Sequence, residues 1–134
     1  MILPTQIDRV LITGGRDFLD VGYVFRKLNE FRALCGFSIL MHGECPSGAD
    51  ALADRWCFNV GVHVCRCPAL WDFFKSQGKG RAAGVIRNRA MLTLQPQLVI
   101  AFPGDKGTAD MLKVARSAQL PTLDLADDYR RVSA

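Results

Sequence analysis

The sequence predicts an α/β protein, a single Rossmann-like open parallel sheet of about five strands with helices on both faces. Three observations carry this. Short apolar and β-branched runs of strand length recur along the 134 residues. Stretches with apolar residues at helical spacing separate them, and Gly or Pro marks the junctions. Strands separated by helices must pair in parallel through right-handed crossovers.

Val10 to Thr13 reads as the first strand and runs into the turn Gly14-Gly15-Arg16-Asp17. Val21, Val24, Phe25, Leu28, Phe31 and Leu34 then recur at helical spacing, and Gly36 closes that helix. Phe37 to Met41 is the second strand. After a loop from His42 to Ser47, a helix carries Ala49, Leu52, Ala53, Trp56 and Val60 on one side and ends at Gly61. Val62 to Cys67 is the third strand. Pro68 to Gly80 reads as irregular, with Trp71, Phe73 and Phe74 among glycines and basic residues. A helix over Ala82 to Leu94 is expected to bury Ile86, Ala90 and Leu94 or their neighbours, and Pro96 stops it. Leu98 to Phe102 is the fourth strand, and a helical pattern begins at Thr108, read as its cap. Ala109, Leu112, Ala115 and Ala118 mark that helix, and Thr122 to Leu125 is a short last strand. The tail from Asp127 reads as a surface turn or fraying end. Residues 1–134 are read as one domain, with no repeat and no linker.

If the strand order is 3-2-1-4-5, the chain reverses direction between strands one and four. Ligands of such sheets bind beyond the carboxyl ends of the strands at that point. The Gly14-Gly15-Arg16 loop and the Phe102-Pro103-Gly104-Asp105-Lys106-Gly107-Thr108 loop would then face one crevice. Each joins a strand to a helix, where unpaired backbone N–H groups and the helix dipole favour an anion. The Arg16 guanidinium can fork onto a phosphate. Two such loops point to a nucleotide-like ligand. Neither is a P-loop, which needs Gly-Lys-Ser/Thr, and neither is the dinucleotide fingerprint, which needs a third spaced glycine.

The net charge of +4 leans towards an anionic partner. From Phe73 to Arg89 the chain holds Lys75, Lys79, Arg81, Arg87 and Arg89 with no carboxylate. That run is either a solvated basic face or part of a ligand site. Residues i and i+2 lie about 200° apart on a helix, so Arg87 and Arg89 cannot serve one point; Arg87 with Asn88 is assigned to the pocket. Asp50, in a first helical turn, suits either loop support or ligand contact. Trp71 suits either a lid or a base-stacking role, and Trp56 reads as core.

No apolar run approaches the ~20 residues of a membrane span, and the N-terminus lacks a signal pattern. A cytoplasmic protein with no membrane partner is expected. Five cysteines without framework spacing suit reduced thiols. His63, Cys65 and Cys67 alternate along a strand, roughly 6.6 Å apart along it, awkward for a single zinc, so no metal site is expected. Nothing calls for a cofactor.

Val10-Leu11-Ile12-Thr13-Gly14-Gly15-Arg16-Asp17-Phe18 resembles the opening of the YspA-like branch of the SLOG superfamily, relatives of YpsA, DprA and the LOG phosphoribohydrolases. His42-Gly43 with Gly48-Ala49-Asp50 and Trp56 resembles that branch's second motif. Ala83-Gly84-Val85-Ile86-Arg87-Asn88-Arg89 resembles its third, and Pro103-Gly104-Asp105-Lys106-Gly107-Thr108-Ala109-Asp110-Met111 its fourth. The four span nearly the whole chain in order. The resemblance implies a Rossmann-like sheet and a pocket for a nucleotide or nucleotide derivative. Carried over by position, the ligand-binding residues are Gly14, Gly15, Arg16, Gly43, Gly48, Asp50, Arg87, Asn88, Gly104, Gly107 and Thr108. Relatives commonly pair, which implies a homo-oligomer.

Two departures bear on activity. Asp105 stands where the related Pro-Gly-Gly-x-Gly-Thr motif has its second glycine. The LOG glutamate, three residues after the motif's threonine, is replaced by Met111, which cannot transfer a proton. Asp110 lies one residue earlier, about 100° around the helix. The leading reading is therefore a nucleotide-derivative binding module, a sensor or sequestering protein in signalling or phage–host conflict. One alternative is a nucleoside-phosphate N-glycosidase with Asp110 (or Asp105) as its catalytic residue. Another is single-stranded nucleic-acid binding of the DprA type through the basic run, which would weaken steeply with salt.

Overall fold

The computed structural model describes residues 6–78 and 80–134. Lys79 and the side chain of Arg81, both members of the predicted basic run, lie outside the described residues. Five strands, β1 (Arg9–Thr13), β2 (Ile39–His42), β3 (His63–Arg66), β4 (Leu98–Ala101) and β5 (Thr122–Asp124), form one parallel sheet in the order β3-β2-β1-β4-β5. The crossovers are made by α1 (Val21–Cys35), α2 (Ala49–Val60), the short α3 (Trp71–Ser76) with α4 (Ala83–Leu92), and α5 (Lys106–Ser117); α6 (Ala126–Ser133) follows β5.

Side chains alternate across a strand, and the sheet uses both faces. Val10 and Ile12 of β1 join Leu40, Leu98 and Ile100 under α1 and α2, where Val24, Leu28, Phe31, Ala53 and Trp56 close the larger core. Leu11 points the other way, with Met41 and Val99, onto Met91 of α4 and Met111, Val114 and Ala115 of α5. Trp56 is buried as expected, and its indole N–H donates to Asn29 Oδ1 at 2.9 Å. Helix α1 begins at an Asp20 cap whose carboxylate accepts from the Tyr23 amide, and ends at Gly36 with φ 72°. Its buried face is Tyr23, Val24, Leu28, Phe31 and Cys35, whereas Val21 and Leu34 are exposed.

Four expectations are corrected. The stretch after Pro68 is not wholly irregular: α3 and a 3-10 turn at Gly80–Ala82 lie within it. No side chain of α3 is buried, so its aromatics show no apolar period. In α4 the three named stripe residues are not the ones that bury. Ile86, Ala90 and Leu94 are exposed, while Ala83, Asn88 and Met91 face inward. The helix after β4 starts two residues earlier than its apolar pattern suggests, so Thr108 lies inside the first turn and does not cap it. The tail is also a helix. Tyr129 of α6 packs edge-on against Phe18 and Tyr23, with ring centroids 4.8 Å from each. Its hydroxyl donates to Asp20 at 2.9 Å, and the Tyr23 hydroxyl donates to Asp128 at 2.6 Å. That hydrogen bond, with a second from Lys27, holds the Asp128 carboxyl down at about 2.

All five cysteines are unpaired thiols. None of the described helices is long and apolar enough to cross a membrane.

Candidate functional site

The carboxyl ends of β1 and β4, neighbours in the sheet, release the two loops that the sequence singles out. They meet directly: the Gly15 amide donates to the Pro103 carbonyl at 2.9 Å. A Cβ on Gly15 would lie 3.1 Å from both the Gly104 Cα and the Pro103 oxygen. One on Gly104 would fall 2.0 Å from Thr108 Oγ1, and one on Gly14 would fall 2.4 Å from the Ala49 Cβ. The loop after β2 locks into the same knot. Gly48, at φ 78°, has no room for a side chain against the Gly15 carbonyl, 2.1 Å from the Cβ position. The Ala49 amide donates to that carbonyl at 3.2 Å. Ser47 Oγ donates to the Arg16 carbonyl at 3.1 Å. These glycines permit close backbone approach before they serve any ligand.

Beside this knot lies an open cleft of about 440 Å³, near the lower end of the small-molecule pocket range. Of the sequence-derived residues, Gly14, Arg16, Asp50, Arg87, Asn88, Gly107, Thr108 and Asp110 line it. Gly15 and Gly104 line a shallower neighbouring groove, which Arg16 and Asp105 share with the main cleft. Gly43 and Gly48 line neither. Gly43 is where Arg87 rests: a Cβ there would lie 2.3 Å from Arg87 Nη1.

Arg87 is held by its neighbours. Its Nη1 donates to the Gly43 carbonyl at 2.7 Å and the Cys67 carbonyl at 3.3 Å, and its Nε donates to Asn88 Oδ1 at 3.0 Å. Asn88, itself buried, donates through Nδ2 to Asp110 Oδ2 at 3.0 Å and the Gly107 carbonyl at 3.4 Å. One chain of hydrogen bonds therefore links the end of β2, α4 and the first turn of α5. Arg89 points elsewhere, its guanidinium donating to the Val85 carbonyl at 3.2 Å.

Thr108 is buried at the cleft wall, and its hydroxyl has no hydrogen-bond partner among the described residues. A buried hydroxyl without a partner costs roughly 1–3 kcal/mol. It sits in the first turn of α5, where backbone N–H groups are unpaired and the helix dipole is positive. Lys106 begins that helix and also lines the cleft. Asp105 occupies the cap position, but its side chain makes no capping bond and it is exposed.

Asp50, in the first turn of α2, accepts from the Cys45 amide at 3.3 Å. Burial raises its carboxyl above the ordinary range, although His42, Arg87 and the backbone donors pull the other way. Beneath it, His42 Nδ1 accepts from the Glu44 amide at 2.9 Å, which leaves Nε2 to donate to Asp54 at 2.7 Å. Asp54 also takes a two-pronged bond from Arg66, and that bond leads the lowering of its carboxyl. This network holds Glu44 at φ 55° and so shapes the loop that presents Cys45. His42 carries no apolar periodicity signal; in the sequence it is marked only by the resemblance of His42-Gly43 to the second motif.

Met111 is fully buried in the core and away from the cleft, whereas Asp110 faces it. Cleft residues that the sequence did not single out as binding groups are Thr13, Cys45, Gly84, Val85 and Lys106. Among the described residues, no group of three or more His, Cys, Asp or Glu is placed to hold a metal ion. Cys65 and Cys67 lie with their sulfurs 3.9 Å apart, and burial foremost pushes the Cys67 thiol up to about 11.

The model of the YspA, cpYpsA-related SLOG family matches residues 8–74. The chain is also similar to the Gene 61 protein of Mycobacterium phage D29, 32% identical over 130 residues, covering 89% of this chain and 97% of that protein.

Proposed function

Because the chain belongs to the YspA, cpYpsA-related SLOG family, we propose that it binds a nucleotide or nucleotide-derived ligand in the cleft beside β1 and β4. The observation that carries this is the orphaned Thr108 hydroxyl in the first turn of α5, with Arg16, Arg87 and Lys106 lining the same cleft. A phosphate would accept from that hydroxyl and from the adjacent backbone amides, and it would draw on the positive end of the helix. Arg87, already fixed by three hydrogen bonds, gives a preorganised cation; Arg16, exposed at the rim, gives a mobile one. Such a site suits a sensor or sequestering module, and the similarity to a phage protein suits a setting of phage–host conflict.

Arg16→Ala separates binding from folding. The residue is exposed, so stability should change by no more than ~0.5 kcal/mol. Affinity for the nucleotide that gives the largest thermal shift should fall on the order of 10- to 150-fold, the worth of a charged hydrogen bond. Unchanged affinity would sink the assignment.

A second reading is N-glycosidic hydrolysis, favoured by the Asp110 carboxylate that faces the cleft. It expects a free base released from a nucleoside monophosphate, and release that disappears in Asp110→Asn. Binding without release leaves the first reading in place.

A further inference from the structure

Resting on the nucleotide reading above, we propose that the indole of Trp71 is the stacking surface for the ligand's base, so that the cleft selects nucleobase-bearing phosphates over sugar phosphates. Trp71 opens α3, a helix with no buried side chain, and remains 45% exposed. It fills no core. It is nevertheless seated: a Cβ on Gly84 would lie 3.1 Å from Trp71 Cη2 and 3.6 Å from Cζ2. The benzo edge of the indole therefore rests on the α4 backbone, while the residue still lines the cleft.

Gly84 strengthens the argument. Glycine inside a helix costs about 1 kcal/mol relative to alanine. Gly84 is not among the glycines with positive φ, so its backbone makes no demand for glycine. Beyond its chain neighbours and its own helix backbone, the three atoms nearest its Cβ position all belong to Trp71. At the cleft wall, the bare Gly84 backbone is the seat of the indole.

The spacing fits a nucleotide. Asn88 touches the first turn of α5 through the Gly107 carbonyl, and Gly84 lies one helical turn, about 6 Å, before Asn88 on α4. Phosphate site and aromatic surface thus sit on adjoining elements, offset by about one turn of α4. An exposed tryptophan is the best available ring for such stacking, and stacking tolerates any base.

The test uses the intact chain, AMP, GMP, CMP and UMP, ribose 5-phosphate as the baseless probe, and a ten-residue oligothymidylate. Trp56 is buried and bonded to Asn29, so a change in emission on ligand addition reports the other of the two tryptophans, Trp71. A mononucleotide should quench wild-type emission, and ribose 5-phosphate should bind more weakly with little quenching. Trp71→Ala should weaken mononucleotide binding roughly 5- to 150-fold and leave ribose 5-phosphate binding unchanged. Trp71→Phe should keep most of the affinity. Equal binding of nucleotide and ribose 5-phosphate, or unaltered affinity in Trp71→Ala, overturns the base subsite and leaves the phosphate site standing. Tighter binding of the oligonucleotide than of any mononucleotide overturns the assignment to a mononucleotide-sized ligand. No binding of any probe overturns the nucleotide reading together with the subsite.

Discussion

The Gly15 amide donates to the Pro103 carbonyl at 2.9 Å, and through this bond the loops after β1 and β4 become one surface. Gly104 is its tightest point, since a Cβ there would meet both Thr108 and, at 2.8 Å, the Gly15 nitrogen. Gly104→Ala should therefore destabilise the fold by ~1–3 kcal/mol, seen as a fall of roughly 3–15 °C in Tm. An unaltered Tm would mean that the loops are not interlocked.

Gly107, three residues on, behaves oppositely. Nothing lies within 4 Å of its Cβ position, its φ is not positive, and it lines the cleft. Gly107→Ala should leave Tm unchanged or raise it, by up to ~1 kcal/mol of stability. Titration with the best-binding nucleotide should show at least roughly tenfold weaker affinity if a phosphate comes close to the α5 backbone, as close approach is lost with the added methyl. Equal affinity would move the anion away from this turn.

Asp50 sets a pH dependence. Burial raises its folded-state carboxyl above the ordinary 3.8, so the folded protein holds that proton more firmly than the unfolded chain. Wild-type stability should therefore lose this contribution as pH rises from about 3.8 through the folded value, and remain lower above it. Asp50→Asn keeps an acceptor for the Cys45 amide and has no such loss. Denaturant melts across pH 3.5 to 7.5 should show the variant gaining on wild type over that window. A constant difference would place the carboxylate in a well-solvated setting.

The sheet was legible because its signals are local. Val10 to Thr13 and Leu98 to Phe102 are apolar and β-branched and stop at glycine or proline, which fixes both the strands and their loops. Much of the candidate cleft's lining was legible in the sequence, but the contacts its residues make were not. Gly43 and Gly48 read as ligand contacts, yet one seats Arg87 and the other admits the Gly15 carbonyl. Those partners are 44 and about 33 residues away, respectively, and no window of sequence contains them. Helix α4 was misjudged because a polar residue takes the buried face. Asn88 goes inward since Arg87, Asp110 and the Gly107 carbonyl meet its hydrogen-bonding needs, and Ile86 is left outside. Helix α6 is highly charged, and its one docking ring, Tyr129, gives no period to read.

The absence of any buried side chain in α3, set against the glycine-locked knot beside it, divides the cleft into a rigid part and a yielding part. For an anion bound as proposed, the rigid part would need no reordering, so capture would proceed at the rate of diffusion and charge attraction. The yielding part has no side chain anchored in the core, so its opening is expected to cost little. For a ligand bound as proposed, escape would then be timed by α3 lifting from α4, and residence time, more than capture rate, would be the quantity that substitutions along Trp71–Ser76 tune.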